Sequence, residues 1–338
     1  MKFPTQTLVS VMKRIGIYVA AFFVALTVNF ILPRLMPGSA LVTLLTMLQG
    51  ALSEAGVSSS LVAAEIKQIE EAFGLVPKPW YIEYFDYIKG IFTGNLGVSI
   101  TFYPTSVMHI VLPSMIWSIG LVVISSVLAF FLGSWLGSVA AMRRRGSIDT
   151  AVVVIASILA TVPAFVTIMY LEMGFSVNMH LVSLTFPNIK TFNTKTLMEL
   201  FNFYSVPVVG MVLSLLSGFI LGMRNNMLHT MRDNYVLYAE LLGFKSSTIR
   251  RMVYKNSLLP NITGFALILG LAVSSALTVE GLLTIPGAGY FFGLSLTSKD
   301  LPLIQGYFFV IVLMLLISIA IVEVLYGIID PRARGASA

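Results

Sequence analysis

Long apolar segments alternate with short polar ones along most of the chain. The first apolar run follows Lys13 and Arg14 and covers residues 15–32. Five more runs lie at about residues 114–142, 150–175, 205–223, 258–283 and 302–329. A helix of about 20 apolar residues crosses the hydrocarbon core of a bilayer. These runs are apolar on all sides, whereas the strands of membrane barrels alternate apolar and polar residues. The pattern therefore predicts an all-α polytopic membrane protein with six transmembrane helices.

Composition supports this class. The chain is 57% hydrophobic and 11% charged, with a mean hydropathy of +0.91, whereas a soluble domain has about 25% charged residues. It contains no cysteine, which excludes disulfides, thiolate metal sites and cysteine nucleophiles. The net charge of +6 is explained by basic cytoplasmic loops rather than by a nucleic-acid partner.

The positions of the basic residues predict the orientation. With the N-terminus inside, fourteen of the 21 Lys and Arg residues lie on the cytoplasmic side, including the turn Arg143–Arg145. The reverse orientation would translocate all fourteen, against the positive-inside rule. Both termini are therefore expected in the cytoplasm.

Three regions follow from this topology. Residues 1–37 hold the N-terminus and helix 1, residues 38–112 form a long acidic extracytoplasmic loop or cap, and residues 113–338 form a core with helices 2–6. Residues 61–73 have a helical pattern. The loop also carries aromatic residues of the kind found at membrane interfaces: Trp80, Tyr81, Tyr84, Phe85 and Tyr87.

A polar, basic segment at residues 234–260 separates the fourth and fifth runs. Its apolar residues recur at helical spacing: Tyr235, Tyr238, Ala239 and Leu242. Gly243 is expected to end this helix in a left-handed conformation, and Ser246 or Ser247 to cap the next one. The segment is either a docking helix held at the membrane surface or a solvated helical loop.

Three acidic residues lie in or near the predicted spans and limit the functions that the chain can have. Glu172, Glu280 and Glu323 lie in or near the spans, where an ionisable group is costly. Glu172 is the deepest and marks either a polar pathway, as in a proton-coupled carrier, or a carboxyl that is hydrogen-bonded to a neighbouring helix or neutral. Glu280 and Glu323 are near span ends, where solvent or partner chains are expected to form hydrogen bonds with their carboxylates.

The sequence contains no phosphate-binding loop, so another chain must hydrolyse any ATP. Three scattered histidines indicate no metal site.

Several motifs occur in a fixed order. Ala239, Gly243, Leu259 and Pro260 stand at the places of a cytoplasmic signature whose usual Glu-Ala-Ala start is degenerate here. The others are Leu35–Gly38, Gly94–Ser99, Arg143–Asp149, Pro163–Phe165, Thr278–Glu280, Ile285–Gly289, Asp300–Gly306 and Leu325–Arg334. This series resembles the dipeptide/oligopeptide/nickel class of ABC importer permeases, in its first-subunit type, and covers nearly the whole chain.

The resemblance implies a six-span subunit of a prokaryotic cell membrane, not itself catalytic and without a cofactor of its own. It would pair with a second homologous permease, with two ATPase subunits that bind ATP and Mg, and with an extracytoplasmic substrate-binding protein. Residues 234–244 would form the coupling helix, with ATPase contacts from Tyr235, Tyr238, Ala239, Leu242 and Gly243. Leu259 and Pro260 would transmit its motion to helix 5.

The sequence leaves open both the transported substrate and two alternative functions. The class includes carriers of peptides, oligosaccharides and nickel, and we expect a peptide first and an oligosaccharide second. Two functions of other kinds are a stand-alone proton-coupled carrier, motivated by Glu172, and a membrane scaffold that only anchors a cytoplasmic protein.

Overall fold

The computed structural model describes residues 5–35, 79–187, 189, 191 and 193–329. Within these ranges the chain folds into helices without a named strand, apart from one isolated bridge between Val98 and Ser106. A π-helical turn, Met173–Asn178, continues α5. The helices are α1 (Thr5–Arg34), α2 (Trp80–Thr93), α3 (Val107–Met142), α4 (Ser147–Thr161), α5 (Ala164–Glu172), α6 (Thr194–Thr230), α7 (Asn234–Leu241), α8 (Ser246–Leu282), α9 (Ala288–Ser298) and α10 (Leu301–Ile329).

Three described helices are long and apolar enough to cross a membrane: Gly16–Arg34 of α1, α3 and α6. The bent pair α4 and α5 makes a fourth if it is one span. The described parts of α8 and α10 contribute the shorter apolar helices Ala272–Leu282 and Leu301–Ile317. The all-helical, multi-pass membrane class is thus confirmed, and the total of six spans stays a prediction.

The predicted third span is not one straight helix. Helices α4 and α5 meet at a bend of 96°, where Val162 is extended, with φ −90° and ψ 119°. Proline lacks an N–H and clashes with the preceding helical turn, and it disfavours the helical conformation of the residue before it. Pro163 therefore ends α4 and begins α5, so the residues of the predicted span at 150–175 form two helices.

The helices form two compact units, each described by itself. One comprises Met1–Ile116 and Gly287–Leu316, and the other comprises Trp117–Pro286 and Ile317–Ala338. In the first, α3 begins at Val107, inside the region predicted as loop. Val107 is buried and lies against Gly306 of α10. The first turn of α3 is therefore packed against α10. The predicted helix at residues 61–73 lies outside the described residues.

Asp300 holds the segment between α2 and α3 in the first unit. Its buried carboxylate accepts hydrogen bonds from Ser99 Oγ at 2.6 Å and from Thr101 N at 2.9 Å. The other oxygen accepts from Leu303 N at 3.1 Å and so satisfies a free N–H at the start of α10. Two motifs that are distant in sequence, Gly94–Ser99 and Asp300–Gly306, therefore meet through one carboxylate.

In the second unit, α3 packs closely on α6 through two glycines. A Cβ placed on Gly133 would lie 2.5 Å from Phe219 Cβ, and one on Gly137 would meet Ile220 O and lie 3.0 Å from Met223 Cβ. Real Cβ atoms do not approach so closely. Small residues allow helix backbones to pack tightly in membranes, and here they bring α3 onto the helix that precedes α7.

Candidate functional site

The polar segment folds into α7, a tight turn and the start of α8. Gly243 has φ 76°, Gly243 N donates to Glu240 O at 3.0 Å, and Phe244 N donates to Ala239 O at 3.1 Å. These two bonds form a Schellman motif, which requires a left-handed residue at the glycine position. The predicted helix and its glycine end are confirmed. The predicted serine cap is wrong, because Lys245 is the N-cap residue and no side chain caps α8.

The inner side of α7 is seated on the chain's own core. Val236 and Ala239 are 3% and 5% exposed. Val236 belongs to a buried cluster with Met223, Met227, Val253 and Ala141, and Tyr235 packs against that cluster. The Tyr235 hydroxyl also accepts a hydrogen bond from Asn256 Nδ2 of α8 at 2.7 Å. Apolar burial and this hydrogen bond therefore tie α7 to α8.

The outer side of α7 exposes large apolar side chains. We call this set the α7 surface: Leu237 (54% exposed), Tyr238 (63%), Leu241 (74%), Leu242 (75%) and Phe244 (51%). Lys245, Arg250 and Arg251 are exposed beside it. A contiguous apolar patch rimmed by polar residues marks an interaction site more often than a solvated surface.

The helical periodicity identified only part of this surface. Tyr238 and Leu242 point outward as expected, whereas Ala239 is buried inside the chain and Tyr235 is half-buried. Leu237, Leu241 and Phe244 were missed. Because α7 is apolar at nearly every position, spacing alone does not show which apolar residues face inward. The helix is only eight residues long, so tertiary contacts decide its orientation.

Leu259 and Pro260 lie inside α8, which runs unbroken from Ser246 to Leu282. Leu259 is 40% exposed, and Pro260 is exposed as well. The helix that begins beside α7 thus continues directly into the fifth predicted span. A displacement of α7 that moves the start of α8 would be carried along this helix.

The three carboxylates have different surroundings. Glu280 is fully buried and accepts a hydrogen bond from Ser118 Oγ at 2.7 Å, so this chain, rather than solvent or a partner, supplies its hydrogen bond. Glu172 is half-buried at the end of α5, and its carboxylate makes no hydrogen bond or ion pair to any residue in the described ranges. Glu323 lies in α10, and its side chain is outside what the structure describes.

Comparison with known proteins identifies the class. The sequence model of the family described as "Binding-protein-dependent transport system inner membrane component" matches residues 133–335. This range includes α7, α8 and the two glycines of α3 that pack on α6, Gly133 and Gly137. The chain belongs to this family. The predicted class, an inner membrane permease component of an ABC importer, is therefore confirmed.

Relatives align with this permease over most of its length. The dipeptide transport system permease protein DppB of Lactococcus lactis subsp. cremoris (strain MG1363) is 25% identical over 96% of this chain and 98% of the relative. The oligopeptide transport system permease protein AppB of Bacillus subtilis (strain 168) is 27% identical over 80% and 85%. The metal-staphylopine import system permease protein CntB of Staphylococcus aureus (strain NCTC 8325 / PS 47) is 23% identical over 96% and 97%.

Proposed function

We propose that this chain forms half of the translocation pathway of an importer for dipeptides or oligopeptides. A second homologous permease would form the other half, two ATPase subunits would supply energy, and an extracytoplasmic binding protein would deliver the substrate. Family membership supports the importer, and the names of relatives such as DppB and AppB support a peptide substrate. The transport role needs no catalytic residue in this chain.

The observation that carries the coupling role is the α7 surface. Its five apolar side chains are each more than half exposed on a segment predicted to lie in the cytoplasm. Aromatic and large aliphatic side chains of this kind act as anchors at the centres of protein interfaces. An ATPase subunit with an apolar groove would cover them, and the neighbouring Arg250 and Arg251 would meet an acidic rim of that groove.

The contacts of α7 support a mechanical role. When ATP binding moves the ATPase, α7 would move with it, because its exposed side is held by the partner. Val236 and the Tyr235–Asn256 hydrogen bond would carry the displacement to α8. Packed helices switch between discrete arrangements by rigid shear rather than by bending continuously. Leu259 and Pro260 lie on the route from α7 into the predicted span.

The direct test replaces exposed residues of the α7 surface in the assembled transporter. Leu241→Asp and Leu242→Asp should release the ATPase subunits during purification and abolish peptide-stimulated ATP hydrolysis in vesicles. Both residues are exposed, so the chain should remain monodisperse. Glu240→Gln, an exposed polar neighbour on the same helix, is the matched control. Full coupling in both aspartate variants would disprove this docking role.

Substrate class is tested with the binding protein that co-purifies with the chain. A rise in its melting temperature with peptides, but not with oligosaccharides or metal chelates, supports the peptide assignment.

A second candidate function is a stand-alone proton-coupled carrier. It is favoured by Glu172, whose carboxylate lacks a hydrogen bond within the described ranges. Gradient-driven peptide uptake by the purified chain alone in liposomes would establish that carrier, and inactivity without ATPase would reject it.

A further inference from the structure

Helix α2 lies antiparallel along the C-terminal half of α1. Glu83, near the start of α2, meets Arg34 at the end of α1, whereas Phe92, near the end of α2, meets Phe23 further back along α1. The four contacts are Arg34 Nη2 to Glu83 Oε2 at 3.4 Å, the hydroxyls of Thr27 and Tyr84 at 2.8 Å, Asn29 Nδ2 to the Tyr87 hydroxyl at 2.8 Å, and the rings of Phe23 and Phe92 with centroids 6.5 Å apart. Hydrogen bonds, an ion pair and an aromatic contact therefore hold the two helices side by side.

This pairing sets the depth of α2. The segment Gly16–Arg34 of α1 has the length and hydropathy of a membrane span. Phe23 lies about 16 Å from Arg34 along the helix axis, at 1.5 Å per residue. The hydrocarbon core is about 30 Å thick, so Phe92, which contacts Phe23, lies near mid-depth if Arg34 marks the predicted outer surface. A helix lying flat on that surface would not reach Phe23.

The side chains of α2 divide into three flanks. Tyr84, Tyr87 and Ile91 face inward, and the exposed residues form two neighbouring flanks on the outer side. One exposed flank is apolar, with Tyr81 58% exposed, Phe85 71% and Phe92 67%. The other carries Asp86 and Lys89, both exposed. At 100° per residue, the apolar and charged flanks are neighbouring sides of one helix, with Lys89 next to Phe85.

The apolar flank also changes character with depth. Trp80 and Tyr81, whose rings have one polar atom, lie at the end near the Arg34–Glu83 ion pair. Phe85 and Phe92, which have none, follow toward the deep end. Trp and Tyr are enriched at the interface between lipid headgroups and acyl chains. The order of side chains therefore matches the depth set by the contacts with α1.

The segment that leaves the deep end of α2 has internal hydrogen-bond partners. Backbone groups at membrane depth must be satisfied within the protein, because hydrocarbon offers no partner. Within this segment the N–H groups of seven residues donate to protein oxygens: Gly94, Asn95, Gly97, Ser99, Thr101, Phe102 and Thr105. Three of the acceptors are the side chains of Asn95, Asp300 and Ser99. More than half of the N–H groups in this segment are therefore paired within the protein.

We propose that α2 enters the predicted outer half of the bilayer as a re-entrant helix rather than belonging to the extracytoplasmic cap. Its flank of Tyr81, Phe85 and Phe92 contacts lipid acyl chains. Lys89, exposed on the neighbouring flank, faces water, since an exposed charge at membrane depth needs a water-filled path. The partner of the apolar flank is therefore lipid, and the charged flank borders an aqueous vestibule.

Single cysteines test this arrangement, because the chain has none of its own. Y81C, F85C, D86C, K89C and F92C each receive a nitroxide spin label in the full-length chain, alone and assembled with its co-expressed partner subunits, in phosphatidylcholine vesicles. Collisions of the label with oxygen report lipid, and collisions with a water-soluble nickel chelate report water. The unsubstituted chain, treated identically, corrects for any label on the other subunits.

Labels at positions 85 and 92 should collide several-fold more with oxygen than with the nickel chelate, with position 92 deeper than position 81. Labels at positions 86 and 89 should show the reverse preference. A water-accessible label at position 92 would reject the re-entrant helix. Protection from both reagents at positions 85 and 92 in the assembled transporter would show that a protein subunit, not lipid, covers the flank, and would equally overturn the proposal.

Discussion

Arg224 of α6 donates two hydrogen bonds to Asp149 of α4, from Nε to Oδ1 at 2.6 Å and from Nη2 to Oδ2 at 2.9 Å. Asp149 is buried, and its Oδ2 also accepts from Arg145 N at 3.0 Å. Bidentate pairing of guanidinium with carboxylate fixes orientation as well as distance. The pair thus joins the start of α4 to the end of α6, close in sequence to Met223 and Met227, on which α7 is seated.

Asp149→Asn should therefore destabilise the chain. Arg224 is 22% exposed, so the loss of the carboxylate charge should cost about 1.5–3 kcal/mol, the range for hydrogen bonds to charged groups. We expect a clearly lower melting temperature in detergent. Glu199→Gln is the matched control, because its pair with Lys195 is exposed and spans 4.0 Å, so its loss should change stability by less than about 1 kcal/mol. Equal effects of the two substitutions would contradict a structural role for the Arg224 contact.

Asp300→Ala should loosen the segment between α2 and α3. It removes acceptors for Ser99 Oγ, Thr101 N and Leu303 N, and each buried donor left unpaired costs about 1–3 kcal/mol. Ser99→Ala removes only one donor to that carboxylate and should cost less. Thermal unfolding checks the order, and proteolysis of residues 94–106 should increase in the Asp300 variant. A melting temperature unchanged by Asp300→Ala would refute this account.

Two glycine-to-alanine substitutions on α3 should distinguish the effect of helix packing on stability from the effect of helix propensity. Gly137→Ala places a methyl group against Ile220 O and Met223, so α3 and α6 must move apart, and overpacking typically costs about 1–3 kcal/mol. Gly120→Ala on the same helix meets no atom within 4 Å, so it should be neutral or stabilise the helix by up to about 1 kcal/mol. Melting temperatures of the two variants should thus shift in different directions or by clearly different amounts.

Substitutions of Gly243 should report the geometry of the α7 turn. Its φ of 76° is tolerated by Asn but is strongly unfavourable for a β-branched residue. Gly243→Asn should keep most of the transport activity, whereas Gly243→Val should uncouple ATP hydrolysis from peptide uptake or release the ATPase. An added Cβ meets no atom within 4 Å, so backbone strain is the cause. Normal coupling in the Val variant would show that the Schellman turn is dispensable.

Several features of the site follow from local chemistry. Gly243 ends α7 as expected, because few residues other than glycine adopt the left-handed conformation that this turn requires. Pro163 has an equally local effect, and it divides the predicted third span into α4 and α5. The bend arises because proline interrupts the helix regardless of how apolar its neighbours are.

Other features depend on residues that are distant in sequence. The spacing of Tyr235, Tyr238, Ala239 and Leu242 correctly predicted a helix. It did not predict that Ala239 turns inward. Tertiary contacts set the orientation of α7, since its Val236 packs with Val253 and Met223, which belong to other helices. Glu280 is similar, because its position near a span end indicated exposure, whereas Ser118 of α3 lies next to it in the fold.

The sequence by itself determined the membrane class, the family and the polar segment that interrupts the core, because hydropathy, basic residues and short motifs act locally or through the bilayer. Only the tertiary structure decided which side of α7 is free, which glycines meet α6 and how deep α2 lies along α1. Those outcomes depend on pairs such as Phe23 with Phe92, whose partners are far apart along the chain. Packing between helices, rather than the pattern within one, selects these pairs.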